Sequence, residues 1–344
     1  MSDLDWSRCV PADPAGVRNG TSALAASAGD CTIRYKEIQQ NTFREAIVDR
    51  TSELEEISSV RFAVTASDRY IDVFKTLVER GWTPVKVFTT PVDNRMHRNT
   101  AVLDFAKQLN VGVQISRLTE EDLRDLADRG CDALIVASYS WRIGDWRAHL
   151  RYAVNFHPSP LPRGRGPYPM PAAILEQSET WGVACHKLEH EFDSGDILKK
   201  HEFPLTPDED HDSLDLKIQL ATRRLSGEVA DRFEEYWNAA TPQEGGSYHP
   251  MWTDQDRRLD FSQTVANIVR RTRAFGPIEC LAQINNLKLF VRRAVGWTEP
   301  HDFPPGSVVY VNGHSLVVAA SDGFIGLTEW SLIQPDAIIG SLKR

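Results

Sequence analysis

The chain has no C-x-x-C pair, no G-x-G-x-x-G or G-x-x-x-x-G-K-[ST] phosphate loop, and no apolar run approaching the ~20 residues of a membrane helix. Each absence excludes a class. Five scattered cysteines (Cys9, Cys31, Cys131, Cys185 and Cys280) form neither a disulfide framework nor a zinc ribbon, and read as incidental thiols of a reducing cytoplasm. The longest apolar runs, such as Ala133–Ala137 and Leu316–Ala320, are of strand length. The first thirty residues carry Asp3, Asp5, Asp13 and Asp30 with no apolar stretch, unlike a secretory signal. A net charge of −9 argues against a general nucleic-acid coat or an anionic-membrane binder, leaving room for one local basic site.

What is present is an ordinary globular composition, 41% apolar and 25% charged, over 344 residues, enough for two domains. Residues 1–58 read as an N-terminal extension, loose at Gly20–Asp30 and helix-compatible at Glu37–Ile57. Strand-like runs then alternate with helical spacing. Strands are expected at Val60–Thr65, Pro84–Phe88, Val111–Ile115, Asp132–Ser138 and Ala153–Phe156. Helices are expected at Tyr70–Arg80, Val102–Leu109 and Glu120–Arg129. This alternation predicts an α/β fold with a doubly wound, mostly parallel, Rossmann-like sheet over 59–240, ending in one long helix at Asp212–Trp237. Pro242, Gly245 and Gly246 mark a linker. Beyond it, a helix at Gln263–Arg273 and short strands at Leu287–Val295, Ser307–Val311, Ser315–Ala319 and Gly323–Trp330 suggest a smaller antiparallel, OB-like β-barrel over 241–344. The Asn312-Gly313 hairpin lies within it.

The segment carrying chemistry follows the fifth strand: Asn155-Phe156-His157-Pro158-Ser159-Pro160-Leu161-Pro162-Arg163-Gly164-Arg165-Gly166. An open α/β sheet places its ligand at this end of the strands. Three prolines stiffen the loop. Asn155 and His157, two apart, share a face in extended backbone. Further on comes the turn Phe192-Asp193-Ser194-Gly195-Asp196-Ile197. Asn, His and Asp together suffice for acyl transfer without a covalent intermediate. Asn155 and a protonated His157 can donate to a developing oxyanion, while Asp193 orients the ring or takes the amine's proton. Taken singly, each of these residues is an ordinary loop or turn residue.

The string resembles the N10-formyltetrahydrofolate-dependent formyltransferases, with the pattern Asn-x-His-x-Ser-x-Leu-Pro-x-x-Arg-Gly followed by Asp-x-Gly-Asp. Asn155, His157, Ser159, Leu161, Pro162, Arg165 and Gly166 match in register, as do Asp193, Gly195 and Asp196. The resemblance implies a catalytic trio of Asn155, His157 and Asp193. It implies a pterin-binding loop at Ser138, Tyr139, Ser140, Trp141, Arg142 and Ile143, although the common Tyr-Gly pairing is missing there. A second wall is implied at Glu189, His190, Glu191 and Phe192, and a substrate loop at Ser159, Arg163 and Arg165. The co-substrate implied is N10-formyltetrahydrofolate, attacked directly by an amine through a tetrahedral intermediate, in a cytoplasmic enzyme of biosynthesis. Arg273-Ala274-Phe275-Gly276-Pro277, Lys288–Ala294, Pro305-Gly306 and Asp322-Gly323 are similar to the C-terminal barrel of methionyl-tRNA formyltransferases.

The formyl acceptor is less legible. Residues 261–296 hold six cationic side chains against Glu279 alone, as a phosphate-binding surface would. The loop Thr89–Thr100, however, is short, with Arg95 and Arg98 offset by Asp93. On this balance a small amine (an amino sugar, a hydroxyornithine-type amine or a similar intermediate) is the favoured partner, with methionyl-tRNA as the alternative. Hydrolysis of formyltetrahydrofolate is a second alternative, and a non-catalytic folate or RNA binder a further one. No metal is expected. His186 and His190 are four apart, but Val183–Leu188 reads as a strand, on which they would not converge. No membrane contact is expected, and a homo-oligomer is left open.

Overall fold

The computed structural model describes residues 60–92, 98–313 and 315–333. The extension over 1–58, its Glu37–Ile57 segment included, lies outside the described residues, as does part of the Thr89–Thr100 loop. The first sheet has seven strands: β1 (Arg61–Ala66), β2 (Thr83–Phe88), β3 (Gly112–Gln114), β4 (Ala133–Ala137), β5 (Tyr152–His157), β6 (Thr180–Lys187) and β7 (Ile197–Pro204). Their order is β3-β2-β1-β4-β5-β6-β7. The first five are parallel, whereas β6 and β7 run antiparallel. Helices α1 (Ile71–Glu79), α2 (Thr100–Gln108) and α3 (Glu120–Asp128) connect the parallel strands.

The expected strands are all present, and the central ones, β1, β4 and β5, are buried on both faces, so their sequences are near-continuous apolar runs. β4 is buried at every position. One face packs Ala63, Phe88, Leu123, Leu126, Leu134 and Trp146 together. The other carries edge-on aromatic contacts, among them Phe62–Phe74 and Trp82–Phe233. Each such large side chain, once fully buried, contributes about 1.5–3 kcal/mol. α3 starts at a capping box in which Thr119 and Asp122 bond each other's backbone amides.

Around the first sheet, sequence and structure differ at three places. The expected long helix is two, α5 (His211–Asp231) and α6 (Phe233–Asn238), interrupted at Arg232, whose φ of −134° leaves the helical region. A short helix α4 (Met170–Leu175) stands where the proline-rich sequence gives no helical period. β7 alternates Lys199, Lys200, His201 and Glu202 with few apolar positions, the pattern of an outer strand.

The second sheet has five antiparallel strands in the order β10-β11-β12-β9-β8, a barrel-like arrangement. These are β8 (Cys280–Ile284), β9 (Leu287–Thr298), β10 (Val308–Asn312), β11 (Ser315–Ala319) and β12 (Gly323–Leu332), preceded by α7 (Val265–Phe275). β8 was not apparent in the sequence. α4 packs against α7, and α5 touches both, so the two sheets share a layer of helices. Among the described residues, no helix is long and apolar enough to cross a membrane. Cys131, Cys185 and Cys280 are buried free thiols, and burial pushes Cys131 up to about 11.

Candidate active site

The three polar residues singled out in the sequence meet on one atom. Asn155 and His157 lie on β5, in the interior of the sheet. Asp193 arrives from the turn between β6 and β7. Its Oδ1 accepts from Asn155 Nδ2 at 3.3 Å and lies 3.3 Å from His157 Nδ1. A fourth group joins them. His186 Nε2 stands 3.7 Å from the same oxygen and 3.1 Å from Asn155 Nδ2. The other carboxylate oxygen, Oδ2, accepts from the Gly166 amide at 2.9 Å.

The local chain explains this convergence. β5 and β6 are paired so that Asn155 faces His186 directly. The returning turn is tight: Asp193 adopts φ +56°, a left-handed conformation that Asp tolerates better than most residues. At Gly195, a Cβ would sit 2.0 Å from the Lys187 carbonyl oxygen, so a larger residue would push the turn away.

Hydrogen-bond logic fixes the protons. His186 Nδ1 lies 2.7 Å from the Lys187 carbonyl, which can only accept. Its Nε2 is then free to accept from Asn155. His157 Nε2 likewise faces the Gly164 carbonyl at 2.9 Å and must donate. Burial holds the His157 imidazole below its ordinary pKa, against the pull of Asp193 and Gly164. Burial also works to raise Asp193, but His157, His186 and the Gly166 amide outweigh it and hold the carboxyl at about 2. At neutral pH the ionised carboxylate faces His157 Nδ1, the ring nitrogen that the Gly164 carbonyl leaves unused. The gap between them is a seat for one proton.

The proline-rich loop is held from several sides. Arg163 donates to the Thr180 carbonyl at 2.7 Å and lies over the Trp181 ring. Trp181 in turn donates to the Pro158 carbonyl. Arg165 donates to the Gly245 carbonyl at 2.5 Å. Ser159 is fully buried, packed where a Cβ on Gly164 would come within 2.9 Å of its own Cβ. Arg163 and Arg165 are thus tied to main-chain carbonyls, while the buried Ser159 hydroxyl has no hydrogen-bond partner among the described residues. Gly166 combines φ +110° with a Cβ position only 2.0 Å from the His249 carbonyl oxygen. Gly166→Ala is expected to destabilise the fold by about 2–4 kcal/mol, readable as a lowered denaturant midpoint.

The implied pterin walls stand beside this cluster. Ser138, at φ +114°, turns the chain off the end of β4. Tyr139 packs into the core and accepts from the Leu118 amide, while Ser140 is exposed. Trp141 lies edge-on to Tyr139. Arg142 donates to the His190 carbonyl at 2.5 Å and lies over the exposed Phe192 ring, and Arg147 pairs with Glu189. These contacts tie Ser138–Ile143 to Glu189–Phe192 as two facing loops.

Sequence reading missed His186, the Gly166 amide and Gln243, whose side-chain amide donates to the carbonyls of Asp193 and Gly195 at 2.8 and 2.7 Å. His186 had been weighed only as a metal ligand. The antiparallel register that aims it at Asn155 has no signature in the spacing. His190, four residues on, offers its carbonyl to Arg142 and does not join the cluster.

A doubly wound, mostly parallel sheet followed by a small antiparallel sheet defines the chain as a two-part α/β protein. The chain belongs to the formyl transferase family: Formyl transferase matches residues 38–226, and Formyl transferase, C-terminal domain, matches residues 252–338. The first match begins inside the stretch read as an extension. Sequence relatives include a methionyl-tRNA formyltransferase from Janthinobacterium sp. (strain Marseille), 29% identical over 58% of this chain and 64% of that protein. Another, from Parabacteroides distasonis, is 27% identical over 77% of this chain and 88% of its own length. The chain thus spans just under two thirds of the first relative. Among solved structures, HypX from Aquifex aeolicus in complex with tetrahydrofolic acid superposes with a TM-score of 0.62 at 18% identity, over 80% of this chain and 45% of HypX. An N-formyltransferase from Helicobacter canadensis, with folinic acid and dTDP-3-aminofucose, gives 0.58 at 15% identity, over 79% of this chain and all of that one. At these identities the two structures share the fold.

Proposed function

We propose that this chain transfers a formyl group from N10-formyltetrahydrofolate to an amine. The observation that carries this reading is the single Asp193 oxygen shared by Asn155, His157 and His186 at the rim of the sheet. The residues present fit the co-substrate: Ser138–Ile143 and Glu189–Phe192 are facing loops, with Phe192 58% exposed as an apolar surface for a flat ring. When bound, N10-formyltetrahydrofolate supplies an activated formyl carbon. The protein's part is to manage charge around it. An amine attacks only as the free base, and a proton must leave its nitrogen. Asp193 and His157 offer the seat for that proton, directly or through one water. Once protonated there, the ring is an imidazolium beside a carboxylate. Asn155 and His157 are the donors nearest the oxygen on which negative charge develops, and serve it by exchanging a bond they now make to Asp193, His186 or the Gly164 carbonyl.

Methionyl-tRNA is the acceptor that the sequence relatives support, in place of the small amine favoured from charge alone. One observation favours the small amine as a second reading: the basic stretch is largely spent within the protein. Arg292 and Arg293 reach Asp212 and Glu329, Arg271 binds the Asp256 carbonyl, and Arg273 binds the Pro207 carbonyl. A phosphate would have to compete with these partners.

The test is to incubate the full chain with N10-formyltetrahydrofolate and either methionyl-tRNA or a panel of amino sugars and hydroxylated diamines. A product heavier by one formyl group is expected. With tRNA, log affinity should fall steeply with log salt; with a small amine it should not. Formate released without acceptor would indicate hydrolysis. No product with any acceptor and no formate would overturn the reading.

A further inference from the structure

The segment joining the two sheets is more than a tether. Thr241 exchanges both backbone hydrogen bonds with Ile197 at the start of β7. Ser247 accepts from the Arg165 amide through its carbonyl and from the Gly164 amide through its hydroxyl. The His249 amide returns a bond to the Arg165 carbonyl at 2.8 Å. Gly246 lies so close to the Pro162 carbonyl that a Cβ would come within 2.1 Å of its oxygen. Residues 241–249 therefore run between the Asp193 turn and the proline-rich loop, bonded to both.

One side chain of this segment reaches the turn itself. Gln243 Nε2 donates to the main-chain carbonyls of Asp193 and Gly195, which directly follow the left-handed step at Asp193. Both N–H groups are used, and the amide has one orientation, since flipping it would set Oε1 against two carbonyl oxygens. Resting on the reading of Asp193 as the proton-accepting group, we propose that Gln243 is a positioning residue for formyl transfer. Its amide holds the Asp193 turn in the conformation that places one carboxylate oxygen at His157 and the other at the Gly166 amide. The linker thereby becomes part of the site, and the chain between the two sheets sets the aim of the catalytic carboxylate.

Gln243→Met tests this, since methionine keeps the length and removes both donors. The expected result in the full chain is a kcat lowered about 10- to 100-fold, as expected for a small misplacement of a reacting group. Amide hydrogen exchange at Gly166 should quicken as its bond to Asp193 loosens, with the thermal midpoint nearly unchanged. An unchanged kcat would overturn the proposal. So would a lowered kcat with unaltered exchange at Gly166, which would mean that the loss does not run through the Asp193 turn. If the methionine variant does not fold, Gln243→Asn carries the test: it keeps a neutral amide but is one methylene too short to hold both carbonyls, so its kcat should fall too, and an unchanged kcat there overturns the proposal equally. Asp193→Asn separates the two levels. Full turnover in that variant would overturn the assignment of Asp193 itself; near-zero turnover there with normal turnover in Gln243→Met would overturn the positioning role alone.

Discussion

Asp193→Asn is expected to lower the rate of formyl transfer by about 10²–10⁴, the range lost when a positioned general base is removed. The substitution keeps size and leaves an oxygen for the Gly166 amide, so the turn should survive. What disappears is the anion facing His157 Nδ1 at 3.3 Å. An amide nitrogen there would donate to the ring, filling the place intended for the amine's proton. Single-turnover assays with saturating formyl donor would read the chemical step directly. A residual rate within tenfold of the parent would remove Asp193 from the mechanism.

The same carboxylate makes a prediction about pH. With Asp193 held at about 2, it stays ionised throughout the usual assay range. The onset of the fall toward acid should therefore follow the acceptor amine's own pKa and move with the acceptor's basicity, while His157, held below its ordinary value, adds a fixed limb only at lower pH. For stability the sign is also fixed. Asp193 is depressed in the folded state, so its contribution is complete above the ordinary Asp value and is lost as pH falls through about 2. An onset that stays fixed across acceptors of different basicity would count against this account.

His157→Ala should cost about 10²–10³ in kcat, the price of one oxyanion donor. The ring is 5% exposed, with Nε2 bonded to the Gly164 carbonyl and Nδ1 facing Asp193, so the variant also leaves a cavity beside the Gly164 carbonyl. A loss of about 3 kcal/mol or more in stability should accompany the loss in rate. His157→Gln separates the two effects by filling part of the space and restoring a donor, and should recover stability more than activity. Near-parental turnover in either variant would exclude the ring from the chemistry.

Much of this architecture could be read from the chain because parallel strands buried on both faces leave long apolar runs, as in Ala133–Ala137. Asn155, His157 and Asp193 were legible as a string with fixed spacing, and their meeting on one oxygen is a geometric fact that no spacing contains. What escaped has common causes. His186 comes to Asn155 through an antiparallel register, a relation between residues thirty-one apart. Gln243 comes fifty residues after the carbonyl it binds. The break at Arg232 reflects tertiary packing, since Phe233 and Trp237 turn in against Tyr152. Charge counting over 261–296 ignored where those arginines would bind, and several are satisfied within the fold.

The pairing of β5 with β6 has an evolutionary corollary. Everything between them, from Pro158 to Glu179, could lengthen or shorten by several residues without disturbing the face where Asn155 meets His186, provided its own anchors held. A slip of a single residue in that ladder would instead set Cys185 or Lys187 opposite Asn155 and turn the imidazole to the far side. Descendants of this chain should accordingly tolerate insertions in the connecting loop far more readily than a one-residue deletion within either strand.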